Sequence, residues 1–155
     1  MNKKITYFYI IAIFISLALI STKAIAAPTP QMVKEVIDYY YNGQKSGPIL
    51  MEAKLCRSIE DNECIEEINT KAVPIGEATK VWMKFLVPRE ASYDDIFVEY
   101  KYQGVPRQLS PYKVEGSIRY RVISTFRPNK VGEWTIIIKR GNNDLKEFSI
   151  NVVEK

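Results

Sequence analysis

Residues 132–152 read GEWTIIIKRGNNDLKEFSINV, two runs of alternating apolar residues separated by a turn. The alternating apolar positions are Trp134, Ile136 and Ile138 in the first run, then Phe148, Ile150 and Val152 in the second. A period of two places such side chains on one face of a strand. Gly141-Asn142-Asn143-Asp144 lies between the runs and consists of turn-forming residues. The stretch therefore predicts a β-hairpin with one buried face.

The same alternation recurs upstream over residues 79–87, 96–102 and 117–126, and shorter strands are expected at 48–56 and 112–114. Turn residues separate these runs, and Pro88 is expected to end the first of them. About seven or eight strands in one small domain predict a mainly β fold, an antiparallel β-sandwich. A second sheet is needed because each strand has one apolar face to cover. A small closed barrel is the alternative.

The pattern also assigns faces within these strands. In the run over 117–126, Ile118, Tyr120 and Val122 are expected to point inward. In the run over 79–87, Trp82 and Leu86 share a face with two lysines. That face is therefore expected to be at most partly covered.

A short amphipathic helix is predicted within residues 27–46, ahead of a sandwich domain over 47–155. Thr29 is a good cap, Pro30 suits the first helical position, and Asn42-Gly43 is a natural stop. The apolar positions at helical spacing are Met32, Val33, Val36, Ile37, Tyr40 and Tyr41. We expect this face to pack on the sandwich. The alternative is an exposed contact surface that also includes Tyr39.

Residues 1–26 predict a cleavable signal peptide, which would direct the chain to the periplasm or outside the cell. A basic start precedes an apolar run, and Ala24-Ile25-Ala26 offers the small residues that signal peptidase requires. An uncleaved membrane anchor is the alternative, and otherwise no membrane partner is expected. Removing this segment removes three lysines, which leaves 129 residues with 19 basic and 18 acidic side chains. Because a nearly neutral domain lacks a broad positive field, we expect no nucleic-acid partner.

Cys56 and Cys64 are the only two cysteines. An even count in an exported chain predicts a structural disulfide. The seven residues between them do not match the spacing of redox-active pairs.

The sequence contains no histidine. This absence excludes Ser-His-Asp and Cys-His catalysis and every His-ligated metal site. No phosphate-binding glycine motif occurs either. We therefore expect a protein that is not an enzyme and has no cofactor or metal.

The terminal hairpin resembles the last two strands of bacterial immunoglobulin-like domains, in which G-x-W-x-(I/V) opens one strand and F-x-(I/V)-x-V closes the domain. A wider set of residues resembles small exported proteins of unknown function from Gram-negative bacteria. That set comprises 47–50, Leu55-Cys56, Trp82-Met83 and 85–88, whereas Gly104 and 120–122 fit the layout of the immunoglobulin-like domains. The resemblance implies an immunoglobulin-like C-terminal domain and a periplasmic location. It implies no catalytic residue.

Tyrosine and arginine, which are common at protein interfaces, supply the candidate binding surface. Its members are Lys101, Arg119, Arg121, Tyr93 and Tyr112. The three basic residues form one patch only if their strands are neighbours, and an ordinary solvated face is the reading we favour. A second hypothesis is pairing of an edge strand with a partner chain, against which Pro106 would act.

We expect a non-catalytic module that binds an envelope protein, in an oligomeric state that the sequence does not indicate. An inhibitor of a secreted hydrolase belongs to the same class and would present the loop between the cysteines. A carbohydrate-binding module is the alternative and needs exposed aromatic rings, with Trp82, Tyr93 and Tyr112 as candidates. A small hydrolase is less favoured and needs two carboxylates about 5–9 Å apart in one pocket.

Overall fold

The computed structural model describes residues 27–69 and 72–155, and Gln31–Lys155 forms one compact unit. One helix precedes seven strands: α1 (Pro30–Asn42), β1 (Ile49–Glu60), β2 (Glu63–Glu67), β3 (Ala72–Pro74), β4 (Thr79–Tyr102), β5 (Val105–Phe126), β6 (Gly132–Arg140) and β7 (Asn143–Val153). Among the described residues, the predicted mainly β composition and one short helix ahead of the strands are confirmed. The signal peptide predicted over 1–26 lies outside the described residues and stays a prediction.

Two long strands, β4 and β5, form one antiparallel hairpin that runs through the whole sandwich. Gln103 and Gly104 join them, and both have positive φ, 49° and 77°. Two-residue turns of this kind match the right-handed twist of the strands they connect. The first half of β4 also pairs with β1, and its second half pairs with β6. One hairpin therefore belongs to two layers.

The hairpin bends in its middle, where the register is interrupted between Val87 and Ser92. Pro88 lies in this interruption and has no N–H to donate to a neighbouring strand. Gly116 of β5 packs closely against the bend, since a Cβ there would lie 3.1 Å from the carbonyl oxygen of Pro88. The prediction that Pro88 ends a strand is wrong. The missing donor interrupts the pairing, but the chain continues in an extended and bent course.

The bend folds the hairpin into two facing layers. Layer one contains β2, β1, the first half of β4 and the second half of β5; layer two contains the first half of β5, the second half of β4, then β6, β7 and β3. Neighbouring strands are antiparallel except β3 and β7, which are parallel. The predicted sandwich is thus one curled sheet of seven strands. Its path ends at β2 and β3 without closure, so the barrel alternative is wrong.

The core lies between the layers. Its fully buried side chains include Val81, Met83, Phe85, Val87, Ile96, Val98, Tyr100, Ile136, Ile138 and Val152. Tyr100 of layer two stacks on Phe126 of layer one, with 4.4 Å between the ring centres. Trp134 lies 4.8 Å from the same phenylalanine ring. The alternating positions of β4, β6 and β7 therefore point inward as predicted.

Three side chains depart from the predicted faces: Ile118, Trp82 and Leu86, the last of which is 4% exposed although a partly covered face was expected. Ile118 was expected to point inward but is 41% exposed. The register explains this, because β5 has one more residue than β4 between Ser117 and Tyr120. An extra residue moves the neighbouring side chains to the opposite face of the sheet. Trp82 was expected on a partly covered face but is buried, at 2% exposure. The turn between β1 and β2 covers it.

Tyr100 and Ser124 form a hydrogen bond of 2.5 Å inside the core. Burial raises the pKa of the Tyr100 phenol from its ordinary 10.0 to about 12, and the hydrogen bond with Ser124 acts in the opposite direction. The folded protein therefore keeps this phenol neutral at pH values where the unfolded chain loses the proton.

We predict that Tyr100→Phe makes the stability of the domain less sensitive to alkaline pH. Between pH 10.0 and about 12 the unfolded chain binds fewer protons than the folded one, so the free energy of unfolding falls as pH rises. At about pH 11, one unit above the ordinary pKa, the loss from this group is about 1 kcal/mol. Urea unfolding at about pH 8 and pH 11 measures it. Tyr112→Phe is the control. The prediction would be contradicted if the free energy of unfolding of Tyr100→Phe fell between these two pH values as much as that of the unmodified chain.

Candidate binding surfaces

A disulfide joins Cys56 of β1 to Cys64 of β2, as the sequence predicted. Asp61 and Asn62 form the turn between these strands, and both have positive φ. The bridge spans a sequence separation of 8 residues. A loop of that size stabilises the fold by about 2.5 kcal/mol through the entropy of the unfolded chain.

The turn of this hairpin lies on the outer face of layer one, over Trp82. The indole Nε1 donates to the carbonyl oxygen of Asn62 at 2.7 Å. The ammonium groups of Lys54 and Lys84 lie 5.9 and 5.4 Å from the centre of the indole ring. The loop between the cysteines is thus held against its own sheet, which does not favour the inhibitor hypothesis.

Charged side chains on this outer face neutralise one another. Lys54 and Lys84 both pair with Glu52, and hydrogen bonds from these two lysines lower the pKa of the glutamate. Arg57 pairs with Glu66 at 3.2 Å and with Glu77 at 2.9 Å. The face carries many charges but no large excess of one sign.

The predicted basic patch of Lys101, Arg119 and Arg121 does not form. Their strands are neighbours, but Lys101 lies opposite Pro106 in layer two, whereas Arg121 lies opposite Lys84 in layer one. Lys101 therefore lies near the turn of the hairpin, whereas Arg119 and Arg121 lie toward its other end.

Two of these three basic side chains also have acidic partners. Lys101 lies 3.3 Å from Glu99. Arg121 pairs with Glu63 of β2. Arg119 is exposed, and its side chain has no ion pair within the described parts of the chain.

The aromatic candidates are engaged by the protein itself. Tyr93 is half-buried, and its hydroxyl donates to the carbonyl oxygen of Gln44 at 2.6 Å. Tyr112 is half-buried and packs against the core. Trp82 is buried beneath the β1–β2 turn. These three rings do not form a flat exposed platform, which is what the carbohydrate-binding alternative requires.

Arg140, at the end of β6, fastens the linker between α1 and β1 to the bend of β4. Its guanidinium donates to the carbonyl oxygen of Ser46 at 3.0 Å and to Asp95 at 3.1 Å. It also lies 5.5 Å from the ring centre of Tyr93, the side chain that bonds Gln44. We call Gln44, Ser46, Tyr93, Asp95 and Arg140 the linker clamp. No motif in the sequence points to it, because its members lie far apart in the chain.

Gly47 is required where the linker passes the clamp. It has φ of 85°, and a Cβ there would lie 2.1 Å from a guanidinium nitrogen of Arg140. Its carbonyl oxygen accepts a hydrogen bond of 2.6 Å from the Tyr39 hydroxyl at the end of α1. The clamp therefore sets where the C-terminal end of the helix is attached.

The apolar face of α1 does not pack on the sandwich, so that prediction is wrong. No residue of the helix is buried, and the large apolar side chains with more than two fifths of their surface exposed are Met32, Val33, Ile37 and Tyr41. At the C-terminal end of the helix, the Tyr39 hydroxyl donates to the Gly47 carbonyl oxygen and the ring of Tyr41 faces Arg89. The C-terminal end of the helix is therefore attached to the sandwich, and much of its apolar face is exposed.

We predict that Gly47→Ala releases α1 and lowers the free energy of unfolding by about 1 kcal/mol or more, because alanine is strained at positive φ and displaces Arg140. Gly76→Ala is a matched control, since Gly76 has φ of 76° but nothing within 4 Å of an added Cβ. Hydrogen exchange of residues 31–47 should accelerate in Gly47→Ala and not in Gly76→Ala. Equal exchange in the two variants would contradict a role for the clamp.

β5 is an edge strand over its whole length. It pairs with β4 along both layers, and the described strands place no partner on its other side. Val105, Leu109 and Ile118 of β5 are exposed. Its charged residues are Arg107, Lys113, Glu115, Arg119 and Arg121, a net charge of +3. An unpaired strand of this length is unusual, because such edges readily pair with other chains.

Shallow grooves on the surface do not bring carboxylates together. One of about 230 Å³ lies between Leu55 and Phe148 and has Glu67 as its acidic residue. Two others have one acidic residue each, Glu133 and Glu99. The paired carboxylates that the hydrolase alternative needs are therefore not found in these three grooves.

Within residues 27–69 and 72–155, no group of three or more acidic or cysteine side chains could hold a metal ion. Within those same residues, no helix has the length and apolar character needed to cross a membrane.

Comparisons with known proteins show similarity of fold but no related sequence. No protein-family model matches the sequence, and no curated protein matches it. An immunoglobulin-like protein from Pseudomonas aeruginosa is similar over 68% of this chain and 96% of its own, at 15% identity and a TM-score of 0.49. A CARDB domain from Pyrococcus furiosus, solved in complex with di-metal ions, is similar over 70% of this chain and 96% of its own, at 13% identity and a TM-score of 0.41.

A β-glucosidase from Listeria innocua is similar over 66% of this chain but only 16% of its own, at 12% identity and a TM-score of 0.43. The predicted mainly β sandwich is confirmed by the strands and the strand order of the structure itself, and the immunoglobulin-like protein is a likeness beside it. At these identities and TM-scores the likenesses concern the fold, and no function is taken from them.

Proposed function

We propose that this chain is exported and acts as a non-catalytic β-sandwich module that binds a protein of the cell envelope. The observation that carries the proposal is the unpaired edge of β5, a strand with a net positive charge. Strand edges are surfaces on which one protein binds an extended segment of another. The exposed apolar face of α1 is a second surface of the kind that interfaces use.

Absence of histidine from the whole sequence supports a non-catalytic role, because the usual general base near neutral pH is missing. The disulfide supports export, since disulfides persist in oxidising compartments. The signal-like segment over residues 1–26 supports it independently.

We predict that the protein recovered from the periplasmic fraction begins at Ala27 and contains an oxidised Cys56–Cys64 pair. Ala24 and Ala26 supply small side chains at the two positions that signal peptidase recognises, three residues and one residue before the cut. Intact mass spectrometry with and without reduction measures both features. Ala26→Lys should block cleavage, whereas Ala27→Ser should not. A cytoplasmic protein that retains Met1 would overturn the export part of the proposal.

We predict that the tagged chain, cross-linked in envelope extract, captures one dominant envelope protein and that reversing the charge of two arginines strongly reduces the capture. Arg119→Glu with Arg127→Glu is the informative variant, because both residues are exposed and lack ion pairs within the described residues. Arg121 is less suitable, since its loss would also leave Glu63 without its partner. Quantitative mass spectrometry should show about a tenfold decrease in captured partner, typical of losing steering and contact charges.

Lys146→Glu on β7 is the matched control. It also reverses an exposed charge, but β4 and β6 separate its strand from β5. It should leave the capture unchanged. If the wild-type chain captures no envelope protein, the proposed function fails.

A further inference from the structure

We infer that residues 120–126 of β5 receive an extended, acidic-flanked segment of the partner as an added strand. This inference rests on the proposed function and names the surface and the chemistry of its ligand. The segment is the regular part of the unpaired edge: residues 120–126 pair one-to-one with residues 79–85, with no register shift between Thr79 and Phe85. Regular pairing keeps the outer N–H and C=O groups in the spacing that another strand needs.

The other half of the edge is unsuited to strand addition. Pro106 and Pro111 lie in it, and proline has no N–H to donate. The register shifts between Tyr100 and Lys101, opposite this half, and again between Tyr93 and Ile96. Such irregularities and prolines are the means by which edges avoid pairing. The half that ends at Phe126 has neither feature between residues 120 and 126.

An added strand would meet a mainly apolar row on its inner side, in which the one polar residue, Ser124, is already hydrogen-bonded to Tyr100. Tyr120, Val122 and Phe126 face the core from this edge, and Val122 and Phe126 are buried at 6% and 5% exposure. Alternate side chains of the incoming segment would lie beside them, because cross-strand neighbours on one face are in contact. The ligand therefore has apolar or β-branched residues at every second position.

Positively charged residues flank residues 120–126 and determine which charges on the incoming segment are favoured. Arg119 precedes it and Arg127 follows it; both are exposed, and neither has an ion pair within the described residues. No acidic residue lies between residues 119 and 127. Acidic side chains at both ends of the incoming strand would therefore be favoured.

A second copy of this chain is disfavoured as the occupant by the same two arginines. Antiparallel pairing of two copies centred on Ile123 would place Arg119 of one copy opposite Arg127 of the other, twice. Like charges directly opposite each other destabilise strand pairs. The charges point to a different chain.

Site-specific photo-cross-linking in intact cells tests this inference. The photoreactive residue p-benzoylphenylalanine replaces Thr125 on the β5 edge, Leu145 on the β7 edge or Tyr41 on α1, each of which is exposed. We expect an envelope-protein adduct from Thr125, mapped by mass spectrometry to an extended segment with acidic residues at its ends. Adding Arg119→Glu and Arg127→Glu should lower its yield about tenfold, whereas Lys146→Glu should not.

The mapped segment is then synthesised as a peptide, once unmodified and once with N-methyl groups on alternate backbone nitrogens. We expect the unmodified peptide to bind the full mature chain and one of the two alternate methylation patterns to abolish binding, because strand addition uses the N–H groups of one edge. Equal binding of both methylated peptides would overturn the inference even if the cross-link forms.

The possible outcomes separate the two proposals. Adducts from Tyr41 or Leu145 but not from Thr125 would overturn the inference and leave the proposed function standing. An adduct between Thr125 and a second copy of this chain would also overturn the inference. No adduct from any of the three positions, with wild-type capture also absent, would overturn both.

Discussion

The bend of the β4–β5 hairpin is the constraint on which the rest of the structure depends. Because each of these strands crosses from one layer to the other, their pairing places β1 against one half of β4 and β6 against the other. The core then fills the space that the bend encloses, with Tyr100 and Phe126 stacked across it. The close approach of Gly116 to Pro88 permits this geometry, since any larger side chain would meet backbone atoms. The same bend leaves one side of β5 unpaired in both layers.

Local signals in the sequence predicted the parts of the fold that depend on neighbours in the chain. The terminal hairpin and the Cys56–Cys64 bridge both involve short separations. Alternation also predicted most of the core, because a period of two is independent of which strands pair. It failed at Ile118, where one extra residue in β5 changes the face. A register shift of this kind is decided by pairing across strands and leaves no trace in composition.

The candidate site was harder to predict because it depends on register and layer. Lys101 and Arg121 lie on neighbouring strands, as the basic-patch hypothesis required, but at opposite ends of the hairpin. Glu63, which neutralises Arg121, is separated from it by 58 residues. The linker clamp has the same character, since Arg140 reaches Ser46 across 94 residues. The exposed face of α1 follows from this attachment at one end, which a helical pattern alone does not reveal.

Protection of the β5 edge differs between its halves, and this difference bears on what the protein binds. Prolines blunt the half that begins at Val105, so that half is closed to any strand. The half over 120–126 keeps its hydrogen-bonding groups and has only Arg119 and Arg127 at its ends. Charge is a selective form of protection, because it repels a second copy of the same edge but attracts an acidic segment. One pair of arginines would therefore both limit self-association and favour a particular class of partner.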